Sequence, residues 1–204
     1  MCDLDAIRTV RSRGIFMEHA APEGSGAMSA VLGMDAAVIE NVLNGREGVS
    51  IANYNCPGQI VITGEAAAVA EAGTALKEAG ARRVLPLKVS GPFHSPMMRP
   101  AGEELAKVFA RVSMNPLKIP YVANINAEVI TDCGRIEGLL VEQVSGSVRW
   151  QQSVETMIRE GVDTFVEIGP GKTLTGFLRK IDKNVKAYHI GSWEEAVQVC
   201  EELK

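Results

Sequence analysis

Between Gly24 and Lys88, short apolar runs typical of strands alternate with segments whose apolar residues recur at helical spacing. Short apolar runs predict four strands, and segments with apolar residues three or four positions apart predict two helices between them. The first helix is expected to begin after Asp35 and to end at Asn44-Gly45. The predicted strands are Ala27–Leu32, Val49–Ala52, Gln59–Thr63 and Arg83–Leu87.

This order of elements, β-α-β-β-α-β, is typical of a ferredoxin-like split βαβ unit. The second helix of the unit is alanine-rich, with one apolar face formed by Val69, Ala72, Gly73 and Leu76. Residues 53–58 are predicted to be a loop between the second and third strands. We therefore expect residues 21–88 to form a small α+β subdomain.

Longer elements lie on both sides of this unit. Leu4, Ile7 and Val10 recur at helical spacing and predict a helix with Asp3 as its N-cap. No strand precedes that helix, so we expect the chain to begin within a fold. Residues 1–20 are then one helix of a large domain.

After residue 88, helical segments again alternate with apolar strands, among them a buried-type strand at Ile119–Val122. Alternation of this kind predicts an α/β domain with a largely parallel sheet covered by helices. Residues 89–204 are therefore expected to be the remainder of the large domain, into which residues 21–88 are inserted.

Composition narrows the class of protein. The chain has 204 residues, 46% of them hydrophobic, and a net charge of −4, without any Lys/Arg-dense segment. These values indicate a globular protein that binds no nucleic acid, and no apolar run is long enough to predict a membrane span. The four cysteines and three histidines are scattered, which favours reduced thiols in a cytoplasmic protein and predicts no metal site.

The candidate for chemistry is His94, within Gly91-Pro92-Phe93-His94-Ser95-Pro96. Ser95 and Pro96 suit the first positions of a helix, so the imidazole is expected beside a helix N-terminus. The positive end of the helix dipole disfavours imidazolium and keeps the ring available as a general base. A base of this kind needs a nucleophile, yet the 204 residues contain no G-x-S-x-G elbow. Ser90, Ser95 and Cys56 are poor substitutes.

Five segments of the chain resemble the malonyl-CoA:acyl-carrier-protein transacylases, in that family's order and spacing. The segments are Val10–Gly14, Gly26–Gly33, Asn53–Gly64, Gly91–Ser95 and Glu167–Lys172. The resemblance implies an α/β-hydrolase-like acyltransferase core, here incomplete, with an inserted ferredoxin-like subdomain. Family members are longer by roughly half of this chain's length, and the G-H-S-x-G serine would lie in the part before Met1.

The resemblance also implies a ping-pong reaction that moves malonyl from malonyl-CoA to the phosphopantetheine thiol of acyl carrier protein, without a bound cofactor. His94 would exchange the serine proton, and the main-chain carbonyl of Gln143 would orient its ring. Arg13 would hold the malonyl carboxylate. From the helix alone, Arg8 and Arg11 are equal candidates for that role, although a guanidinium in general suits two parallel bonds to a carboxylate.

Five further positions follow from the same resemblance. Phe93 would crowd an α-methyl group and so favour malonyl over methylmalonyl, or it is simply a core residue. Asn53 and Asn55 would face the cleft from their loop, or serve the turn alone. Arg82 and Arg83, expected at the end of the second small-subdomain helix, would dock an acidic carrier protein, or only complement the helix dipole.

Two readings of the whole chain therefore stand at this point. In the first, it is the base-carrying part of a malonyl transferase. In the second, it is a non-catalytic module that binds carrier protein or a thioester, or one half of a split acyltransferase.

Overall fold

The computed structural model describes residues 1–204, and its elements follow most of the predicted order. The helices are α1 (Asp3–His19), α2 (Ala36–Leu43), α3 (Ala66–Glu78), α4 (Arg99–Phe109), α5 (Ile136–Ser145), α6 (Trp150–Arg159), α7 (Thr173–Ile181) and α8 (Trp193–Glu202). The strands are β1 (Gly26–Leu32), β2 (Val49–Cys56), β3 (Gln59–Glu65), β4 (Arg83–Pro86), β5 (Tyr121–Val122), β6 (Val129–Ile130), β7 (Thr164–Ile168) and β8 (Lys186–Ile190). Short 3₁₀ turns cover Pro96–Met98 and Cys133–Arg135.

Strands β1 to β4 form one sheet in the order β2-β3-β1-β4, with every neighbouring pair antiparallel. Helices α2 and α3 connect its strands in the predicted β-α-β-β-α-β order. The face predicted for α3 is buried, and Leu76 lies in the largest apolar cluster with Val31, Ile39 and Ile62. The hydrophobic pattern therefore predicted both the elements of this unit and its core.

Strand β2 is longer than predicted, because it continues through Asn53 and Asn55 to Cys56. Only Pro57 and Gly58 form the turn before β3, and Gly58 has a φ of 74°, which glycine adopts without strain. From Ala52 onward, buried and half-buried residues alternate along the strand, as expected where one face packs on a core. The loop predicted at residues 53–58 is therefore wrong.

Helix α1 packs on α4, but not with the face that its apolar residues predict. Its buried residues are Thr9 and Met17, while Leu4, Ile7 and Val10 are 64–70% exposed. Met17 joins a cluster with residues of α4 and with Val144 of α5. The N-cap is Cys2 rather than Asp3. The period of α1 was thus predicted correctly, and its buried face was not.

The prediction of a largely parallel sheet after residue 88 is also wrong for this chain. Strands β5 and β6 form a two-stranded antiparallel pair, and only β7 and β8 are parallel. Ile119, expected in a buried strand, is 76% exposed and precedes β5. The structure is still of the mixed α/β class, but it has fewer parallel strands than the alternation of helices and strands along the sequence predicts.

The small sheet is joined to the rest of the molecule along β2. The Val148 amide donates to Ala52, and the Tyr54 amide donates to Val148, at 2.7 and 2.8 Å. Residue 148 thus runs parallel to β2 at Asn53. Ser147 adds a bond from its hydroxyl to the Ile51 carbonyl. The segment between α5 and α6 therefore ties the large part of the molecule to the small one.

None of the helices combines the length and the apolar character that crossing a membrane requires.

Candidate active site

His94 has a backbone conformation that non-glycine residues rarely adopt, with φ at 59°. Such a left-handed residue costs about 1–3 kcal/mol and persists only where its surroundings hold it. Ser95 follows as N-cap of the 3₁₀ turn that leads into α4; its hydroxyl donates to Pro92 at 2.7 Å and accepts from the Met97 amide at 3.3 Å. The junction predicted from Ser95-Pro96 is present, and its hydrogen bonds fix the direction of the His94 side chain.

The imidazole of His94 is held by two main-chain carbonyls from the end of α5. Its Nδ1 lies 3.0 Å from the Gln143 oxygen and 3.1 Å from the Gly146 oxygen. Carbonyl oxygens only accept, so Nδ1 must carry the proton in the neutral ring. Nε2 is then left unprotonated and can accept a proton. The Gln143 carbonyl is the one that the family resemblance implied, and the sequence reasoning missed Gly146.

Three influences act on the pKa of His94. Burial lowers it most, because the charged ring loses solvation; the hydrogen bonds to Gln143 and Gly146 raise it, and the positive charge of Arg13 lowers it again. The net result is a pKa below the usual value of 6.5. The ring is therefore neutral at pH 7, as a general base has to be.

A cavity of about 420 Å³ opens beside this ring. It brings together three residues that the sequence analysis singled out separately, His94, Arg13 and Asn53, and Phe93 forms part of its wall. The other lining residues are Gly14, Met17, Met28, Leu87 and Val89. Sequence reasoning missed Met17 and Met28, because an apolar residue that lines a cavity has the same pattern as one in the core.

Arg13 is half-buried and makes no ion pair with any side chain of the chain. Burial lowers the pKa of its guanidinium, which still remains charged. Arg8 and Arg11 are exposed and do not line the cavity. The structure thus separates three arginines that the helix alone could not distinguish, and an unpaired cation facing a cavity suits an anionic ligand.

Other predicted positions lie elsewhere. Asn55 is in β2 and outside the cavity lining. Arg82 and Arg83 are exposed, but α3 ends at Glu78, so they precede and begin β4 instead of ending the helix. A complement to the α3 dipole no longer explains them, because the effect falls off within the last turn.

Two of the three alternative nucleophiles are unsuitable in the structure, whereas Ser90 is exposed. Ser95 and Cys56 are fully buried, and the Ser95 hydroxyl is already bonded to Pro92. Burial also raises the pKa of the Cys56 thiol, which disfavours the reactive thiolate. Nowhere do three or more His, Cys, Asp or Glu side chains cluster closely enough to hold a metal ion.

The glycine-rich turn after β7, at residues 169–172, has a structural explanation. Glu167 accepts hydrogen bonds from the amides of Leu174 and Thr175 and from the Thr175 hydroxyl, which caps the start of α7. A carboxylate in this position satisfies amides that a bound phosphate would otherwise use. No residue of the turn lines the cavity beside His94.

Comparison with known proteins defines the class to which this fold and site belong. Residues 1–199 match the family model described as acyl transferase domain, and the chain belongs to that family. It is similar to the malonyl CoA-acyl carrier protein transacylases of Bacillus subtilis strain 168, at 44% identity over 98% of the chain, and Escherichia coli strain K12, at 45% over 87%.

Solved structures give the same result. The transacylase of Clostridium perfringens superposes with a TM-score of 0.93 at 40% identity, over 98% of this chain and 64% of that one. A malonyl-transacylase in complex with a type II PKS acyl-carrier protein superposes with a TM-score of 0.90 at 38% identity, over 97% of this chain and 65% of that one. The chain spans 64% and 58% of the length of the Bacillus and Escherichia relatives.

Proposed function

We propose that this chain is the part of a malonyl-CoA:acyl-carrier-protein acyltransferase that supplies the general base and binds the acyl group. The observation that carries this proposal is the shared cavity of His94, whose Nε2 is free to accept a proton, and Arg13, whose charge has no partner in the chain. The names of the similar proteins support malonyl-CoA as donor and acyl carrier protein as acceptor. The thioester of coenzyme A is then a substrate and no bound cofactor is required.

In the proposed reaction, His94 Nε2 takes the proton of a serine hydroxyl while that oxygen attacks the malonyl thioester. The imidazolium returns the proton to the departing coenzyme A thiolate, and the reverse sequence with the phosphopantetheine thiol releases malonyl to the carrier protein. The carbonyls of Gln143 and Gly146 stabilise the imidazolium that forms. The serine belongs to the portion of the family's length that this chain does not span.

Arg13 binds the malonyl carboxylate in this proposal, because a planar guanidinium offers two parallel donors. Asn53 contributes a polar group to the same cavity. Phe93 narrows the cavity, which favours malonyl over the bulkier methylmalonyl group. Asn55 is assigned no contact with the acyl group. Arg82 and Arg83 are exposed cations to which an acidic carrier protein can dock.

We also infer the domain plan from these roles. Residues 21–88 form a ferredoxin-like subdomain, which the strand order β2-β3-β1-β4 supports, inserted between residues 1–20 and 89–204 of an α/β-hydrolase-like core. The cavity lies where these parts meet, since its lining comes from α1, β1, β2 and the segment around His94. All four cysteines are free thiols, which supports a cytoplasmic location.

One observation favours a second candidate, a binding module or one half of a split acyltransferase: the 204 residues contain no G-x-S-x-G sequence. A module of this kind would retain the acyl cavity and the docking cations without completing the reaction. Labelling tests the acyltransferase candidate against a module that only binds, because only the acyltransferase forms a covalent malonyl intermediate. The chain alone should acquire no covalent label from radioactive malonyl-CoA, whereas the acyltransferase that contains it together with the serine should be acylated.

The proposed roles are tested in that complete acyltransferase. His94→Ala should lower kcat for malonyl transfer to carrier protein by about 10²–10⁴-fold, because it removes the general base. Arg13→Lys keeps the charge but loses the bidentate geometry, so the KM for malonyl-CoA should rise. Arg11→Lys, on the same helix but exposed, is the matched control. Full activity of His94→Ala would overturn the proposal.

A further inference from the structure

The side chain of Gln143 is bonded to one of the two carbonyls that hold His94. Its Nε2 donates to the Gly146 oxygen at 2.9 Å and to the Ser147 oxygen at 3.3 Å. The Gly146 oxygen therefore receives two donors, the Gln143 carboxamide and the His94 ring at 3.1 Å. Gln143 thus contacts the imidazole directly through its main chain and indirectly through its side chain.

The surroundings of Gly146 make this arrangement specific. A Cβ at this position would overlap the terminal methyl of Ile125 and meet the Glu142 carbonyl at 3.0 Å, so any larger residue would require these neighbours to shift. Its amide is bonded to the Glu142 carbonyl at 2.9 Å as α5 ends. On the other side, Ser147 and Val148 are anchored to β2. The Gly146 carbonyl is therefore held between α5 and the small sheet.

The cost of burying Gln143 also requires an explanation. Its Oε1 is buried and has no hydrogen-bond partner, and such an orphaned acceptor is unfavourable for folding. An apolar side chain of similar length would avoid this penalty. This penalty offsets part of the stability that the two Nε2 hydrogen bonds contribute, and what distinguishes the carboxamide is its hold on the Gly146 carbonyl.

We propose that the Gln143 carboxamide is a positioning residue, which clamps the Gly146 carbonyl against His94 Nδ1 so that the ring has two acceptors instead of one. The clamp fixes the Nδ1–H tautomer and leaves Nε2 as the proton acceptor. The inference rests on the proposed function for its catalytic meaning. Its structural content, the state of the His94 ring, can be measured without any substrate.

The test measures the ring nitrogens of His94 by NMR in the 204-residue chain, where only three histidines contribute signals. Gln143→Met keeps the length and the main-chain carbonyl but removes the donor. We expect the Nδ1–H tautomer fraction to fall and the pKa of His94 to decrease, because the bond to Gly146 favours the protonated ring. Gln143→Glu replaces the donor by a carboxylate and should instead raise that pKa, by direct attraction to the imidazolium.

The matched control is Gln198→Met, the same substitution on the exposed side of α8, where the side chain bonds only to Glu202 at 2.9 Å. It should leave the ring signals unchanged. Opposite shifts in the two Gln143 variants support the clamp, whereas a general loosening of the fold would change both in one direction. Ring signals in Gln143→Met that match those of wild type would overturn it. If that variant does not fold, Gln143→Leu, which also removes the donor, takes its place and is judged by the same ring signals.

In the complete acyltransferase, Gln143→Met should lower kcat by about three- to tenfold with little change in the KM for malonyl-CoA, as expected for one neutral hydrogen bond. The two proposals fail separately. A shifted ring in an enzyme that moves no malonyl would reject the proposed function and keep the clamp. An active enzyme with an unshifted ring in Gln143→Met would reject the clamp alone.

Discussion

At the scale of single residues, the protonation state of His94 depends on the groups around its ring. His94 is kept neutral by burial and by the positive charge of Arg13, while two carbonyls orient it through Nδ1. Each influence has a known sign, so their removal gives directional expectations.

The first expectation concerns pH. Because the unprotonated ring is the base, kcat/KM of the complete enzyme should rise with pH through an apparent pKa below 6.5 and then level off. Arg13→Gln removes a charge that lowers this pKa, so the His94 titration followed by NMR in this chain should move to higher pH. Arg11→Gln, at an exposed position, should not move it. A downward shift in Arg13→Gln would contradict the assignment.

The second expectation concerns acyl selectivity. Phe93 lines the cavity and also packs against two apolar clusters, so its ring is held in place. Phe93→Ser should reduce the preference for malonyl-CoA over methylmalonyl-CoA by about 1–3 kcal/mol, the usual value of one methyl group. Phe93→Tyr retains the ring and should retain the preference. Unchanged kcat/KM ratios in the serine variant would make Phe93 a packing residue only.

At the scale of elements, the position of His94 depends on how β1 meets the segment before the histidine. Gly26 begins β1, and a Cβ there would overlap the ring of Pro92, two residues before His94. The four-stranded sheet and the segment that leads to His94 therefore touch through the backbone of one glycine.

Gly26→Ala should accordingly lower the free energy of unfolding by about 1–3 kcal/mol, the usual cost of overpacking, and should shift the NMR signals of His94. Urea denaturation measures the first effect. Gly176→Ala in α7, where nothing lies within 4 Å of an added Cβ, should stabilise by about 0.5–1 kcal/mol. Equal stability of the two variants would show that Pro92 can move aside freely.

At the scale of the whole molecule, charge and exposed apolar surface decide what the chain contacts. Arg82 and Arg83 lie on the exposed surface beside the edge strand β4, in a chain of net charge −4. Several large apolar side chains are also exposed, with Ile168 at 78% and Ile119 at 76%. Singly exposed apolar side chains are common on protein surfaces, so the two arginines carry the docking prediction.

Reversal of Arg82 and Arg83 to glutamate should raise the KM for carrier protein in the complete enzyme by about three- to tenfold while leaving the KM for malonyl-CoA unchanged. The effect should weaken as salt increases, because screening reduces the attraction in wild type. Reversal of Arg8 and Arg11, two exposed arginines on α1, changes the net charge equally and serves as control. The same rise in both double variants would indicate net charge rather than a docking site.

The order of elements in residues 21–88, the apolar core of the four-stranded sheet and the turn at Ser95 could be predicted from the sequence. These features depend on signals that lie close together along the sequence, namely the hydrophobic period, the turn residues and the N-cap. Predictions that needed a partner surface failed. Leu4 is exposed, although its helical spacing is typical of a packed face. The loop predicted at residues 53–58 is largely a strand, because its residues pair with β3.

The amino-acid sequence alone showed an acyltransferase pattern with a candidate base, a candidate arginine and no serine elbow. Only the tertiary structure decided that Arg13, rather than Arg8 or Arg11, faces the cavity with His94, and that Gly146 supplies a second carbonyl 52 residues away along the chain. The reason is physical. Local patterns fix backbone conformation, whereas an active site is made of side chains brought together by packing between distant segments.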